Sequence, residues 1–341
     1  MIRAQTHPPS SSTLIFSLMT KIFITRDIPD EGIKMLKKRK SIKLDIYEHD
    51  KKIPRRELLK RVKDCDVILS ILTEKMDAQA MDAAGPQLKM IANYAVGFNN
   101  IDLAAAKERG IVVTNTPGPE IVESVAEHAV ALIFALAHRV VETDQFARDG
   151  KYDGWGPKLL LGTDVVGKTL GIIGTGNIGT GLVKRMYDGF GLKIIYNDIE
   201  RNADIEKNYK AKFRSKMQLL SEADFVSLHV PLLKATYHLI GSRELKAMKK
   251  TAFLINTSRG PVVDEPALIK ALMQGQIAGA GLDVYEQEPV IPASLKKLPN
   301  VVLTPHTASA TVETRQAMSR TAAMNILAFL DKKRPPNKIT L

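Results

Sequence analysis

The sequence predicts an α/β fold made of two doubly wound parallel-sheet domains, and three observations carry that expectation. A chain of 341 residues, 45% hydrophobic and 25% charged, is too long for one small core and suits two ordinary globular domains. From Lys21 onward, short apolar runs alternate with helix-like stretches, the pattern of parallel strands covered by helices on both faces. In the second half, the run Leu170-Gly171-Ile172-Ile173 is followed by three closely spaced glycines, Gly174, Gly176 and Gly179, as a strand turning sharply into a helix requires.

Taken in order, strands are expected near 21–25, 42–47, 66–71, 89–95 and 111–114, with helices near 30–39, 55–63, 77–84 and 102–109. Thr114-Asn115-Thr116-Pro117-Gly118-Pro119 breaks this alternation. One long apolar helix then runs from about Ile121 to Val140, and a Gly/Pro/Trp-bearing segment, 150–167, leads into a second alternating block. Its strands are expected near 169–173, 193–197, 225–228, 251–255, 277–281 and 301–303, a six-stranded sheet. After Pro305 comes a helix from about Thr311 to Leu330 and then Pro335-Pro336; with no strand of its own, this tail is expected to pack back on the first domain.

The expected organisation is a Rossmann dinucleotide-binding domain, 119–305, inserted into a flavodoxin-like substrate domain, 20–118 with 306–341. A substrate cleft would lie between them, at the carboxyl ends of both sheets. Residues 1–19 differ from the rest, with His7-Pro8-Pro9-Ser10-Ser11-Ser12 and only a short apolar stretch, and read as a disordered or mis-started tail. Translation from Met19 would still give a complete first strand.

Composition narrows the function classes. No apolar run approaches the ~20 residues of a membrane span. The single cysteine, Cys65, excludes an intramolecular disulfide, has no partner at metal-ligand spacing, and fits a reducing, cytoplasmic setting. The net charge of +12 raises the question of nucleic acid. Much of that charge is concentrated between Lys34 and Lys63, on helices and turns without interleaved aromatic residues, which reads as a solvated face. No nucleic-acid or membrane partner and no metal are therefore expected.

The glycine turn assigns chemistry to its neighbours. Gly174 permits the tight turn, Gly176 lets the backbone approach a pyrophosphate, and Gly179 lets the helix pack closely; Thr175, Asn177 and Ile178 complete the turn, whose helix N-terminus offers N–H groups to phosphates. Asp198 stands at the end of the next strand, where a carboxylate accepts bonds from the ribose hydroxyls and repels a 2'-phosphate. NAD(H) is the expected cofactor. NADP(H) is the less favoured alternative, through Arg201, which could fold over a 2'-phosphate.

Three later segments place an Arg, a Glu and a His at strand ends: Asn256-Thr257-Ser258-Arg259-Gly260, Gly281 to Pro289 with Asp283 and Glu288, and Leu303-Thr304-Pro305-His306. With the glycine turn and Ala95-Val96-Gly97-Phe98-Asn99-Asn100-Ile101-Asp102, they closely resemble the D-specific 2-hydroxyacid dehydrogenase family, from about Lys21 to Leu330. The Val96-Gly97 and Asp283 segments look most like its glyoxylate/hydroxypyruvate reductase branch.

The resemblance implies the following roles. Arg259 would grip the substrate carboxylate with paired charge-assisted bonds. His306 would be the general acid/base, and Glu288 would bond its other ring nitrogen, fixing the ring and favouring its charged form. Backbone N–H groups of Val96 and Gly97 would hold the other side of the carboxylate, with Leu72 and Thr73 as further substrate-binding positions. His229-Val230-Pro231 matches the family loop over the adenosine half, Asp283 the residue that receives the nicotinamide carboxamide, and Thr257 another cofactor contact. His128, His138 and His238 are read as structural. Between Gly118 and the helix, Pro119-Glu120-Ile121-Val122-Glu123 is one residue longer than the usual form and lacks its threonine.

The implied activity is NAD(H)-dependent reduction of a short 2-oxo acid, glyoxylate or hydroxypyruvate, to the D-2-hydroxy acid. A phosphoglycerate or other D-2-hydroxyacid dehydrogenase is the alternative within the same class, needing a second anion site or a wider pocket near Leu72-Thr73 and Trp155. An NAD(H)-sensing corepressor-like binding protein is the alternative from another class. The apolar Ile121–Val140 stretch, too greasy for a lone domain to expose, implies a homodimer.

Overall fold

The computed structural model describes residues 19–340. Apart from Met19, the expectation for residues 1–19 falls outside the described residues. The chain forms two compact units, one of the described residues up to Thr116 with those from Met318 onward, the other Pro117–Ala317.

In the first unit, β1 (Thr20–Ile24), β2 (Ile42–Ile46), β3 (Val67–Ile71), β4 (Met90–Tyr94) and β5 (Val112–Thr114) form a wholly parallel sheet in the order β2-β1-β3-β4-β5. This is the flavodoxin-like order that the alternation predicts. Ile22, Phe23 and Ile24 on β1 and Val67, Ile68 and Leu69 on β3 are all buried, as central strands covered on both faces require. Cys65 is buried beside this core, and burial pushes its thiol up to about 11. The basic residues between Lys34 and Lys63 stand mainly at exposed positions, while Arg61 turns inward over the Phe23 and Tyr47 rings.

The return to this unit falls later than His306. The boundary lies between Ala317 and Met318, within the helix Val312–Leu330, because the contacts that tie the tail down begin at Ser319. Ser319 Oγ accepts a bond from Gly32 N (3.0 Å) and donates to Pro29 O (2.5 Å). A Cβ on Gly32 would lie 2.1 Å from Ser319 O, so only glycine allows this approach. The tail also makes a minimal strand contact: Thr114 pairs antiparallel with Lys338, and Ile339 N donates to Val113 O (2.9 Å).

In the second unit, β6 (Thr169–Ile173), β7 (Lys193–Asn197), β8 (Lys212–Phe213), β9 (Phe225–Leu228), β10 (Phe253–Asn256), β11 (Gly279–Leu282) and β12 (Val301–Leu303) form a seven-stranded parallel sheet in the order β12-β11-β10-β9-β6-β7-β8. The expected six strands are thus one too few. The addition, β8, has two residues, too few for any alternation of apolar and polar side chains to show. The sheet reverses direction of travel between β9 and β6, the switch point at which ligands bind in such folds.

The long apolar helix also needs correction. It runs Pro119–Ala137, breaks, and restarts as Val140–Arg148, because Arg139 takes a left-handed conformation (φ 53°) and spends its guanidinium on Glu142. Leu132, Ile133 and Leu136 of the first helix are buried within their own unit, where a Cβ on Gly281 would press on Leu132 at 3.1 Å. Its apolar character is therefore largely spent inside this unit. The exposed apolar side chains lie further on, at Val140, Val141, Tyr152, Trp155, Leu161 and Val166. Among the described residues no single helix is long and apolar enough to cross a membrane.

Candidate active site

The chemistry-bearing loops of the second unit all follow the carboxyl ends of its parallel strands. After β6, Gly174 has φ +94°, and a Cβ there would come within 2.9 Å of the His229 carbonyl carbon. A Cβ on Gly179 would lie 2.1 Å from Gly174 O, which fixes the close packing of the helix Asn177–Phe190 on the turn. At Gly176, by contrast, a Cβ would meet nothing within 4 Å. Gly176 also caps the helix without any side-chain bond, so the first N–H groups of the helix open onto that free space.

Asp198, after β7, closes back on the turn. Its Oδ2 accepts from Thr175 N (2.6 Å) and Thr175 Oγ1 (2.8 Å), and its Oδ1 from Ile199 N (2.7 Å). Burial pulls this carboxyl upward, but the three bonds outweigh it and hold it below the usual carboxylate range. After β9, His229 Nε2 bonds Ser227 Oγ (2.9 Å), and burial of the ring pushes it down to about 4, so it is neutral at physiological pH. Val230 and Pro231 continue that loop beside Gly174.

After β10, the buried Asn256 organises the turn that delivers Arg259. Its Oδ1 accepts from Ser258 N (3.0 Å) and Ser258 Oγ (2.8 Å), while its Nδ2 donates to Arg259 O (2.9 Å). The Arg259 guanidinium donates to Ser258 O (2.6 Å); burial lowers its affinity for the proton and the charge of Glu288 opposes that effect. Thr257 Oγ1 is buried and has no hydrogen-bond partner among the described residues. Gly260 then lies against the next loop, since a Cβ there would fall 1.9 Å from the Tyr285 carbonyl.

After β11 and β12 the Glu and His loops interlock. His306 adopts φ +55°, a left-handed conformation that a histidine tolerates better than a branched residue would. Its Nδ1 bonds Glu288 Oε2 at 2.8 Å, and Glu288 Oε1 accepts from Tyr285 N (3.1 Å). Burial raises the Glu288 carboxyl, but the bond and charge of His306, the Tyr285 N–H and Arg259 together hold it below its ordinary value. Asp283 is fully buried and spends its carboxylate on shaping this loop: Oδ1 accepts from Thr304 Oγ1 (2.6 Å) and Thr307 N (2.7 Å), Oδ2 from Ala308 N (2.9 Å). Its backbone carbonyl also receives His306 N (2.9 Å).

Several supporting residues carry no sequence signal of their own. Thr304 bonds His128 Nε2 (3.0 Å), and Tyr285 Oη donates to Thr304 O (2.9 Å). His238 Nε2 bonds Glu286 Oε1 (2.9 Å), anchoring the loop that bears Glu288. His128 and His238 thus hold loops in place, as expected of structural histidines. In the first unit, Val96 and Gly97 follow β4 with their carbonyls tied to Asn115 Nδ2 (2.7 Å) and Asn93 Nδ2 (3.0 Å). Leu72 and Thr73 follow β3 and are exposed, with Thr73 Oγ1 bonded to the buried Glu74 (2.6 Å).

The family of D-isomer specific 2-hydroxyacid dehydrogenases, through its NAD binding domain, matches residues 130–308. The chain belongs to this family. Glyoxylate reductase of Korarchaeum cryptofilum is 48% identical over 321 residues, covering 94% of this chain and 95% of that one. The glyoxylate reductase of Thermococcus litoralis is 50% identical over 323 residues, 94% of this chain and 96% of that one. Among solved structures, the NADPH-dependent glyoxylate/hydroxypyruvate reductase of Sinorhizobium meliloti, in complex with NADP and malonate, superposes with a TM-score of 0.81 at 30% identity, over 94% of this chain and 97% of that one.

This dehydrogenase is an oxidoreductase, and the second unit has the features its dinucleotide needs. With no atom within 4 Å of a Cβ placed on Gly176, the helix N-terminus is open to phosphate, and Thr257 Oγ1 is a buried hydroxyl with no partner among the described residues. The residues fit an NAD-type cofactor.

Proposed function

We propose that this chain reduces glyoxylate, or a 2-oxo acid of similar size such as hydroxypyruvate, to the D-2-hydroxy acid with NADH. The observation that carries the reading is the 2.8 Å bond from His306 Nδ1 to Glu288, which fixes the ring and leaves Nε2 as the nitrogen able to exchange a proton with substrate. When bound, the nicotinamide would supply the hydride. The protonated His306 gives its Nε2 proton to the carbonyl oxygen, and Glu288 stabilises the ring while it is charged. Arg259 neutralises the substrate carboxylate and polarises the carbonyl, since its planar fork can serve both at once. In the first unit, the proposed substrate-binding positions are Val96, Gly97, Leu72 and Thr73, after β4 and β3. Asp283 orders the His306 loop through its buried carboxylate, and its proposed part toward the nicotinamide carboxamide rests on the family resemblance.

Support for NADH over NADPH comes from Asp198, an ionised carboxylate at the end of β7. Names of relatives favour glyoxylate as substrate. A second copy of the same chain is the proposed partner, seated on the exposed apolar stretch Val140–Val166. A cytoplasmic location is consistent with the single, buried, unpaired Cys65.

Steady-state rates over a panel of 2-oxo acids, each with NADH and NADPH, test the reading. Glyoxylate and hydroxypyruvate with NADH should give the highest kcat/KM. A preference for a phosphorylated or bulky acid would overturn the substrate, and a preference for NADPH would overturn the cofactor.

A further inference from the structure

Arg201 is the one cation of the loop Asp198-Ile199-Glu200-Arg201, and it does not stand free. Its Nε donates to Glu206 Oε1 (3.0 Å) and its Nη2 to Glu206 Oε2 (3.1 Å), a two-point pair. The guanidinium also lies over the Phe213 ring at 5.8 Å from its centre. Glu206 is itself anchored, because Tyr196 Oη donates to its Oε1 (2.5 Å) and accepts from Asn202 N (2.9 Å). Asn202 closes the circuit by donating from Nδ2 to Thr175 O (3.1 Å), in the glycine turn. Arg201 keeps 69% of its side chain exposed, so the stem is not trapped by packing and the pair with Glu206 decides where the charge resides.

We infer that Glu206 is a cofactor-specificity residue. By holding Arg201 against Phe213, it neutralises and turns away the cation of the loop that follows Asp198. This rests on the reading of Asp198 as the residue that disfavours NADPH, and extends it: discrimination comes from an acid in place and also from a cation withdrawn. An exposed pair of this kind is a modest constraint, so its release should change affinity by a modest factor.

The test is fluorescence titration of NADH and NADPH, without substrate, at low ionic strength, on wild type, Glu206→Gln, Arg201→Ala and the double variant. Glu206→Gln should tighten NADPH binding roughly threefold to tenfold and leave NADH within about twofold. Arg201→Ala alone should leave both within about twofold, because the clamped cation contributes nothing; added to Glu206→Gln it should abolish the gain. Added salt should shrink the gain as well. Phe213→Leu, which removes the aromatic face at similar bulk, should move NADPH in the same direction by less, and answers the question if Glu206→Gln does not fold. Unchanged NADPH affinity in Glu206→Gln, or a gain that survives removal of Arg201, overturns the inference. Equal affinity of wild type for the two cofactors would instead overturn the Asp198 reading, and the Glu206 effect is still measured as the difference between variants.

Discussion

Glu288 Oε2 and His306 Nδ1 are 2.8 Å apart, although they belong to loops that follow different strands, β11 and β12. The pair is over-determined from both sides. Tyr285 N holds the other Glu288 oxygen, and Asp283 O receives His306 N, so neither side chain chooses its position alone. The His306 ring is thus held in one orientation by the fold itself, the pre-organisation that the proposed general-acid role would call for.

Arg259→Lys separates charge from geometry. Lysine keeps the positive charge but cannot make the paired bonds, so kcat/KM for glyoxylate should fall by roughly two to four orders of magnitude. Among the described residues the guanidinium donates only to the local Ser258 O, so the melting temperature should change little. Rates and thermal denaturation on the same preparation check both halves; a variant that keeps wild-type activity would refute the carboxylate role.

Gly260→Ala should act on two loops at once. The added Cβ would fall 1.9 Å from the Tyr285 carbonyl, so the Arg259 loop and the Tyr285–Glu288 loop must separate. Backbone shifts of this kind cost about 1–3 kcal/mol or more. A lowered melting temperature should accompany a loss of kcat/KM exceeding what the instability explains, read below the melting transition. Alanine tolerated with full activity would show that the loops are not keyed together.

The fold and the places of Arg259, Glu288 and His306 directly after three strands were legible in the sequence because each lies in a local pattern. Apolar runs marked the strands, and Arg259, Glu288 and His306 sat in short motifs directly after three of them. The residues that hold those side chains were not legible, since their contacts cross long stretches of chain: His128 reaches Thr304 over 176 positions. Asp283 could be singled out by position but not as a carboxylate whose bonds shape the His306 loop. The helix break at Arg139 was hidden too, because nothing in His138-Arg139-Val140 forbids a helix and the left-handed residue alone ends it. Arg201 was visible as a charge near Asp198, yet its neutralisation depends on Glu206 and on Phe213, which lies in the two-residue strand that alternation could not reveal.

The exposed apolar stretch should make the protein a homodimer. Val141 is 53% exposed and Leu161 65%, and the two line one open cavity with Leu136 and Phe253, an apolar face that a second copy would cover. Light scattering at micromolar concentration should return twice the mass of one chain, and Val141→Asp with Leu161→Asp should return a single mass with the fold intact by circular dichroism. A monomeric wild type would remove the proposal.

The acid–base pair should set the pH dependence, and the sign follows from the charges. Reduction requires the protonated His306, so activity is present at low pH and lost as pH rises. The Glu288 carboxyl lies below its ordinary value, so it stays ionised across that limb and favours the charged ring throughout. Glu288→Gln removes the charge but can still hold the ring, so loss of kcat/KM for glyoxylate should begin at lower pH than in wild type. His306→Asn, whose side chain tolerates the left-handed backbone at φ +55°, should instead remove most of the rate at every pH while NADH binding survives in a fluorescence titration. Stability should respond in the acid range: a depressed carboxyl stabilises the fold above its unfolded value of about 4.3, and this contribution fades as pH falls through the folded value. Wild type should therefore lose part of its advantage over Glu288→Gln on acidification below about pH 4. An unchanged limb in Glu288→Gln would make Glu288 a scaffold residue only and leave His306 to work without it.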